Sequence, residues 1–200
     1  MTVAALYIDP RGPYPKLLGP ELCWDEGRDA RTYAGPWPVV AHPPCGPWGR
    51  LRHLYKGTEH DCALVALAQV RVFGGVLEHP AESKLWHHDR ELRGHLGRFG
   101  SHVDAFGGRS AWLDQVEWGH VARKRTWLYM VGVPLPYRFL AAPFPGRKPT
   151  HQVSRDAKRA RRNSYTLKRT SAQMNRRTPV AFAEWLISLA EQAGRRAAAE

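Results

Sequence analysis

The sequence predicts an α/β fold, on three observations. Short apolar, β-favouring runs stop abruptly at proline-bearing loops; a segment of helical period lies between two of them; and two longer β-rich stretches follow late in the chain. The first run, Val3-Ala4-Ala5-Leu6-Tyr7-Ile8, is cut off by Asp9-Pro10-Arg11-Gly12-Pro13 and reads as a strand followed by a rigid loop. Asp9, at its carboxyl end, is either a ligand contact or the cap of a turn. Residues 16–38 show no clean period and carry Asp25, Glu26 and Asp29, an acidic group in an otherwise basic chain.

The next run, Val39-Val40-Ala41, leads into His42-Pro43-Pro44-Cys45-Gly46-Pro47-Trp48-Gly49. Two prolines stiffen the exit of a buried strand and aim the thiol of Cys45. The same residues also suit a proline-rich turn around an ordinary buried cysteine. Residues 59–73 place Ala63, Leu64, Leu67, Ala68 and Val70 with helical spacing, and Gly74-Gly75 end that helix. Val76-Leu77 form a brief strand expected to break at Glu78-His79-Pro80, the second strand end where proline follows ionisable groups. His79, His87 and His88 lack the regular spacing of metal ligands, so no metal is expected. Residues 110–119 and 126–133 read as two strands joined by a cationic hairpin tip around Arg123-Lys124-Arg125. Thr178 and Pro179 mark the start of a last helix with Phe182, Trp185, Leu186, Leu189 and Ala193 on one face.

Composition narrows the classes. Two hundred residues bury a core without staples, and three cysteines without paired spacing point to a reducing, cytoplasmic setting. No run reaches the length of a membrane span. The formal net charge is +12, and residues 147–177 hold eleven Lys or Arg against the single acid Asp156. Such a block suits a polyanion, nucleic acid first, with an anionic surface or a solvated tail as the other readings. The eight tryptophans divide between core packing and stacking on bases.

In order, the marked groups are a thiol after two prolines, a glutamate just before a proline, and an Arg-x-Arg between two late strands. Pro43-Pro44-Cys45 resembles the Pro-Cys nucleophile loop of the DNA cytosine-5 methyltransferase family, of the kind carried by phages and prophages. Leu77-Glu78-His79-Pro80 resembles its Glu-Asn-Val or Glu-Asn-Pro motif, with His79 in place of asparagine. Gly119 to Arg125 resembles its Gln-x-Arg-x-Arg hairpin, with Ala122 near the glutamine position, and Asn175 to Leu189 resembles its closing motif. No aromatic-x-Gly-x-Gly segment precedes Cys45.

The resemblance implies a shortened Rossmann-like methyltransferase sheet, mostly parallel with an antiparallel hairpin near the end. It divides the chain into a core at 1–135, a basic, proline-containing nucleic-acid-binding segment at 136–177 and a terminal helix at 178–200 packing back on the core. Cys45 would add to carbon 6 of a flipped pyrimidine and carbon 5 would then accept a group. Glu78 would hold the ring nitrogen, and Arg123 and Arg125 the carbonyl oxygen or phosphate. Asp9, Pro43 and Asn175 fall at positions for S-adenosylmethionine. Contacts to nucleic acid are assigned to Trp48 and Arg50 on the thiol loop, to Lys124, and in the basic block to Arg147, Lys148, Arg155, Lys158, Arg159, Arg161 and Arg162. The expected partner is DNA, with RNA open and no membrane, and the protein is expected to act as a monomer in the cytoplasm, that of a bacterial host if phage-encoded. Two alternatives stay open: an inactive DNA-binding protein on the same scaffold, and a pyrimidine-modifying enzyme with another donor.

Overall fold

The computed structural model describes residues 1–88, 92, 103–133, 142–153 and 167–197. Six strands form one sheet: β1 (Ala4–Leu6), β2 (Cys23–Trp24), β3 (Val39–Ala41), β4 (Gly75–Pro80), β5 (Gly108–Asp114) and β6 (Arg125–Val131), in the order β2-β1-β3-β4-β6-β5. The first four pair in parallel, and β6 is antiparallel to both of its neighbours. The protein is therefore α/β with a mostly parallel sheet. Strand order reverses between β1 and β3, the position where an open α/β sheet sends successive loops in opposite directions.

Side chains alternate between the two faces, as the pleat requires. Val3, Ala5, Val40, Val76 and Leu128 share a core with Phe182, Leu186, Leu189 and Ala193 of the C-terminal helix (Val180–Ala197). Ala4, Leu6, Val39, Ala41 and Leu77 pack on the other face against Ala63, Ala66, Leu67 and Val70 of α2 (Cys62–Phe73). The amides of Phe182 and Ala183 donate to the Pro179 carbonyl, so the last helix begins just after the proline. Among the described residues no helix is long and apolar enough to cross a membrane.

Three elements differ from the sequence reading. β1 ends at Leu6 because Tyr7 turns into the left-handed region, φ 58°, and its hydroxyl donates to Gln69 Oε1 at 3.1 Å. Gln69, buried on α2, donates in turn to the Ala30 and Tyr33 carbonyls. β4 does not break at Glu78 but runs through Pro80, opposite Thr126 of β6. Proline is tolerated because the Ala81 amide is the one that donates to β6, at Arg125, while Pro80 nitrogen faces the side that β3 has already left. β5 stops at Asp114, and Gln115–Trp118 forms a 3-10 turn that buries Gln115, Val116 and Trp118. The acidic group at residues 25–29 serves local turns: Asp25 accepts from the Arg28 amide and Asp29 from that of Arg31.

The two ends of the basic block are tied to the hairpin. The amides of Thr150 and His151 both donate to the Val121 carbonyl, and His151–Gln152 pairs in parallel with Lys168–Arg169. His120 bridges from its Nε2 to the Met174 carbonyl at 3.0 Å, while its Nδ1 accepts the Ala122 amide.

Gly75 carries the tightest backbone approach in the sheet. Its φ is +111°, and a Cβ there would drive into the Val39 carbonyl. At Gly146, φ is +72° but nothing lies within 4 Å of a Cβ. Gly75→Ala is therefore expected to cost about 3 kcal/mol or more in urea unfolding, and Gly146→Ala only about 1 kcal/mol. Equal costs would show that backbone strain alone, not the close strand contact, sets the requirement.

Candidate active site

Parallel pairing between β3 and β4 ends at Ala41 and Leu77, yet β4 continues for three more residues. Glu78 is thus the first residue beyond that pairing, beside the point where the Cys45 loop departs. Its side chain is buried, 8 % exposed, and a buried carboxylate needs donors. Three supply them. His42 Nδ1 donates to Oε2 at 3.0 Å, and Thr126 Oγ1 and Gln115 Nε2 donate to Oε1 at 2.7 and 3.0 Å. Gln115 spends its second amide hydrogen on Thr126 Oγ1, 2.9 Å away. Burial pushes the Glu78 carboxyl up, but the His42 hydrogen bond, the Lys124 charge and the Thr126 hydroxyl outweigh it and hold the group down at about 2.

His42 Nε2 meets the Tyr14 hydroxyl at 2.6 Å. Tyr14 opens the short helix α1 (Tyr14–Leu18) and is 2 % exposed; burial, with the Glu78 charge second, raises its pKa far above the phenol range, so it keeps its proton and donates. The chain Tyr14–His42–Glu78 joins the exits of β1, β3 and β4. The His42 amide also donates to the Leu6 carbonyl at 3.0 Å.

Cys45 is exposed and sits at the start of a 3-10 turn, Gly46–Trp48, whereas Cys23 and Cys62 are buried; none of the three is in a disulfide. Burial lifts the Cys23 thiol to about 11 and raises that of Cys62. Cys45 is therefore not the ordinary buried cysteine that its loop also allowed. Lys124 is a cation whose charge couples to that of Cys45. That ammonium is largely desolvated, which lowers its pKa, while the Glu78 and Cys45 charges act to raise it. Lys124 takes a left-handed backbone, φ 38°, and its Nζ donates to the Arg177 carbonyl at 3.4 Å.

Arg123 and Arg125 are held by an acid of the neighbouring strand. Both are exposed and pair with Asp114, at 3.4 and 3.3 Å, and the Arg125 guanidinium lies over Trp112. Lys124, between them, is out of the extended conformation, φ 38°, so it does not share the strand alternation of its neighbours.

The remaining sequence candidates are placed as follows. Trp48 is half-buried: it packs against the α2-side core, its ring centroid 5.2 Å from that of His88 in a T-shaped contact. None of the eight tryptophans is exposed. Arg50, Arg147 and Lys148 are exposed, and Arg147 lies over Phe144. Arg155, Lys158, Arg159, Arg161 and Arg162 lie outside the described residues. Pro43 is buried in its loop. Asp9 Oδ1 accepts from the Arg11 amide and guanidinium at 2.9 and 3.2 Å, the turn-cap alternative. Asn175 Oδ1 accepts from the Thr170 hydroxyl at 2.7 Å. Among the described residues no group of three or more His, Cys, Asp or Glu could hold a metal.

Tyr14, His42, Gln115 and Thr126 escaped the sequence reading as site residues. His42 was within reach, since it stands between a buried strand and the prolines. The others become partners of Glu78 only through strand pairing and the turn after β5.

His79 points to the opposite face of β4, fully buried beside Trp86, and neither ring nitrogen has a hydrogen bond of good geometry. Burial holds the imidazole down at about 4, against the Glu78 charge and the Pro44 carbonyl. Because the unfolded value is higher, about 6.5, the unfolded chain takes up this proton first. The His79 contribution to stability is complete above pH 6.5 and is lost as pH falls towards 4, about 3 kcal/mol in all. A second loss, linked to Glu78, follows as pH falls from about 4.5 towards 2. Denaturant midpoints measured from pH 7 to 4 should fall steeply in the wild type and flatten in His79→Phe; identical slopes would contradict the assignment.

Replacing Lys124 by Met should move the pH profile of Cys45 alkylation upward by about one unit, and Arg123→Ala should leave it nearly in place. No protein-family model matches the chain, and no curated protein matches it either.

Proposed function

We propose that the protein modifies a pyrimidine base in DNA by nucleophilic catalysis through Cys45, as the resemblance to the cytosine-5 methyltransferases implies. The observation that carries this reading is an exposed thiol on the loop that leaves β3, with a buried ionised carboxylate on the neighbouring β4 and, just before β6, the Lys124 ammonium whose charge couples to both. On this reading the sheet is a shortened Rossmann-like one and the exposed basic residues hold phosphates.

Carbon 5 of cytosine is a weak nucleophile. A bond from Cys45 Sγ to carbon 6 moves the ring's C5–C6 π electrons onto carbon 5, in conjugation with the carbonyl oxygen and ring nitrogen. Lys124 favours the thiolate beforehand and steadies the charge that builds on the ring. Carbon 5 would then displace a leaving group from an electrophilic carbon, the group departing with the electrons of the broken bond; the carbon 5 proton would pass to solvent water as its electrons re-form the C5–C6 double bond and Cys45 leaves as thiolate. Glu78 serves this by position. With three donors on its oxygens it stays ionised, fixes His42 at the root of the thiol loop and draws Lys124 inward.

The methyl donor implied by the resemblance is S-adenosylmethionine. The polar groups that the resemblance assigns to it are engaged by near neighbours in sequence, Asp9 by Arg11 and Asn175 by Thr170, so they do not form a site for it as they stand. The test chosen does not need the donor. Addition to carbon 6 followed by reversal exchanges the hydrogen on carbon 5 with water, so DNA tritiated at that position should release tritium with the wild type and not with Cys45→Ser. Binding of that DNA without release would overturn the reading and leave a DNA-binding scaffold. Mass spectrometry of nucleosides from a co-expressed plasmid would name the group transferred.

A further inference from the structure

Beside Cys45 the loop folds over a hollow of about 280 Å3 lined by Gly46, Gly49, Leu51, Leu54 and Tyr55. The Tyr55 ring lies directly on Gly46, where any Cβ would collide with it, and its hydroxyl donates to Glu59, which fixes the ring. Leu51 and Leu54 are 53 % and 64 % exposed, and Arg50, Arg52 and His53 around them are exposed as well. Two leucines held open to water beside an aromatic ring and two guanidiniums are not explained by the core, which the neighbouring Trp48 already joins.

We propose that this hollow seats an unpaired nucleobase next to the target, stacked on Tyr55 between Leu51 and Leu54 with its flanking phosphates on Arg50 and Arg52, so that DNA is taken up single-stranded. The lining argues for a base and for its being unpaired. Leucine, glycine and a tyrosine ring whose hydroxyl is already engaged offer few hydrogen bonds to read a base edge; they offer contact to a π face. A duplex displays edges in its grooves and phosphates on its flanks, and its faces are covered by neighbouring base pairs. The guanidiniums supply charge complementarity to the phosphates on either side. The occupant's neighbour in the strand then falls at Cys45, one residue from Gly46. This rests on Cys45 acting on a base, but its test reads binding alone, so the two can fail separately.

The experiment is fluorescence anisotropy of the full chain with three labelled probes: a single-stranded pyrimidine 12-mer, an abasic strand with the same number of phosphates, and the 12-mer paired in a duplex. The base-bearing single strand should bind about tenfold tighter than either of the others. Leu51→Ala/Leu54→Ala, two exposed positions whose loss does not threaten folding, should erase that preference. Arg50→Ala/Arg52→Ala should weaken single-strand binding and reduce its salt slope by about 1.4. Equal binding of base-bearing and abasic strands, equal or better binding of the duplex, or a preference that survives the double leucine substitution would each overturn the proposal. So would failure to bind any of the three probes, the result expected if the hollow takes a protein partner instead.

Discussion

A carboxylate taken out of water must be repaid in donors, and Glu78 collects its three from separate parts of the chain. His42 comes from the exit of β3, Gln115 from the turn after β5, and Thr126 from β6. None of these is near Glu78 in sequence, so satisfying one charge pins three elements against β4. The thiol follows from that. His42 is three residues before Cys45 with two prolines between, and once its ring is held by Glu78 and Tyr14 the loop has little freedom left to aim the sulfur elsewhere.

The same carboxylate sorts the cations of the hairpin. Asp114, near the surface, takes Arg123 and Arg125, whose fixed charge and large guanidiniums are cheap to keep hydrated there. The slimmer Lys124 turns inward, where Glu78 and Cys45 offset the cost of drying its ammonium. The ammonium is thus coupled to the buried carboxylate, and the two guanidiniums to the acid nearer the surface. The tie of Lys124 to the Arg177 carbonyl, and that of His120 to Met174, couple the hairpin to the segment just before the C-terminal helix.

Chemistry and seating share one short stretch. The thiol, the 3-10 turn and the apolar hollow all fall within residues 45–55, and the glycine at 46 is what lets the Tyr55 ring lie on the backbone. Beneath them His79 is packed as a neutral ring against Trp86, a polar group supporting the loop from the other face of β4. The site is therefore layered: a charged network on the C-terminal-helix side, a dry aromatic layer on the α2 side, and the thiol loop across their edge.

Local pattern was enough for most of the scaffold. Apolar runs at 3–8 and 39–41, helical spacing at 59–73, the β-rich stretches after 108 and the amphipathic last helix each carry their own period, and period is a property of adjacent residues. The thiol at Cys45 and the carboxylate at Glu78 were legible for the same reason, since each stands beside a strand end marked by proline. What tertiary structure decided is everything that depends on pairing across strands. It set the extension of β4 through Pro80, the donors Gln115 and Thr126, the choice of Lys124 over its two arginine neighbours, and the inward packing of Trp48. Each turns on which side of a backbone faces a distant carboxylate, acid pair or core. A shift of one residue reverses that side, and only the assembled sheet specifies the register.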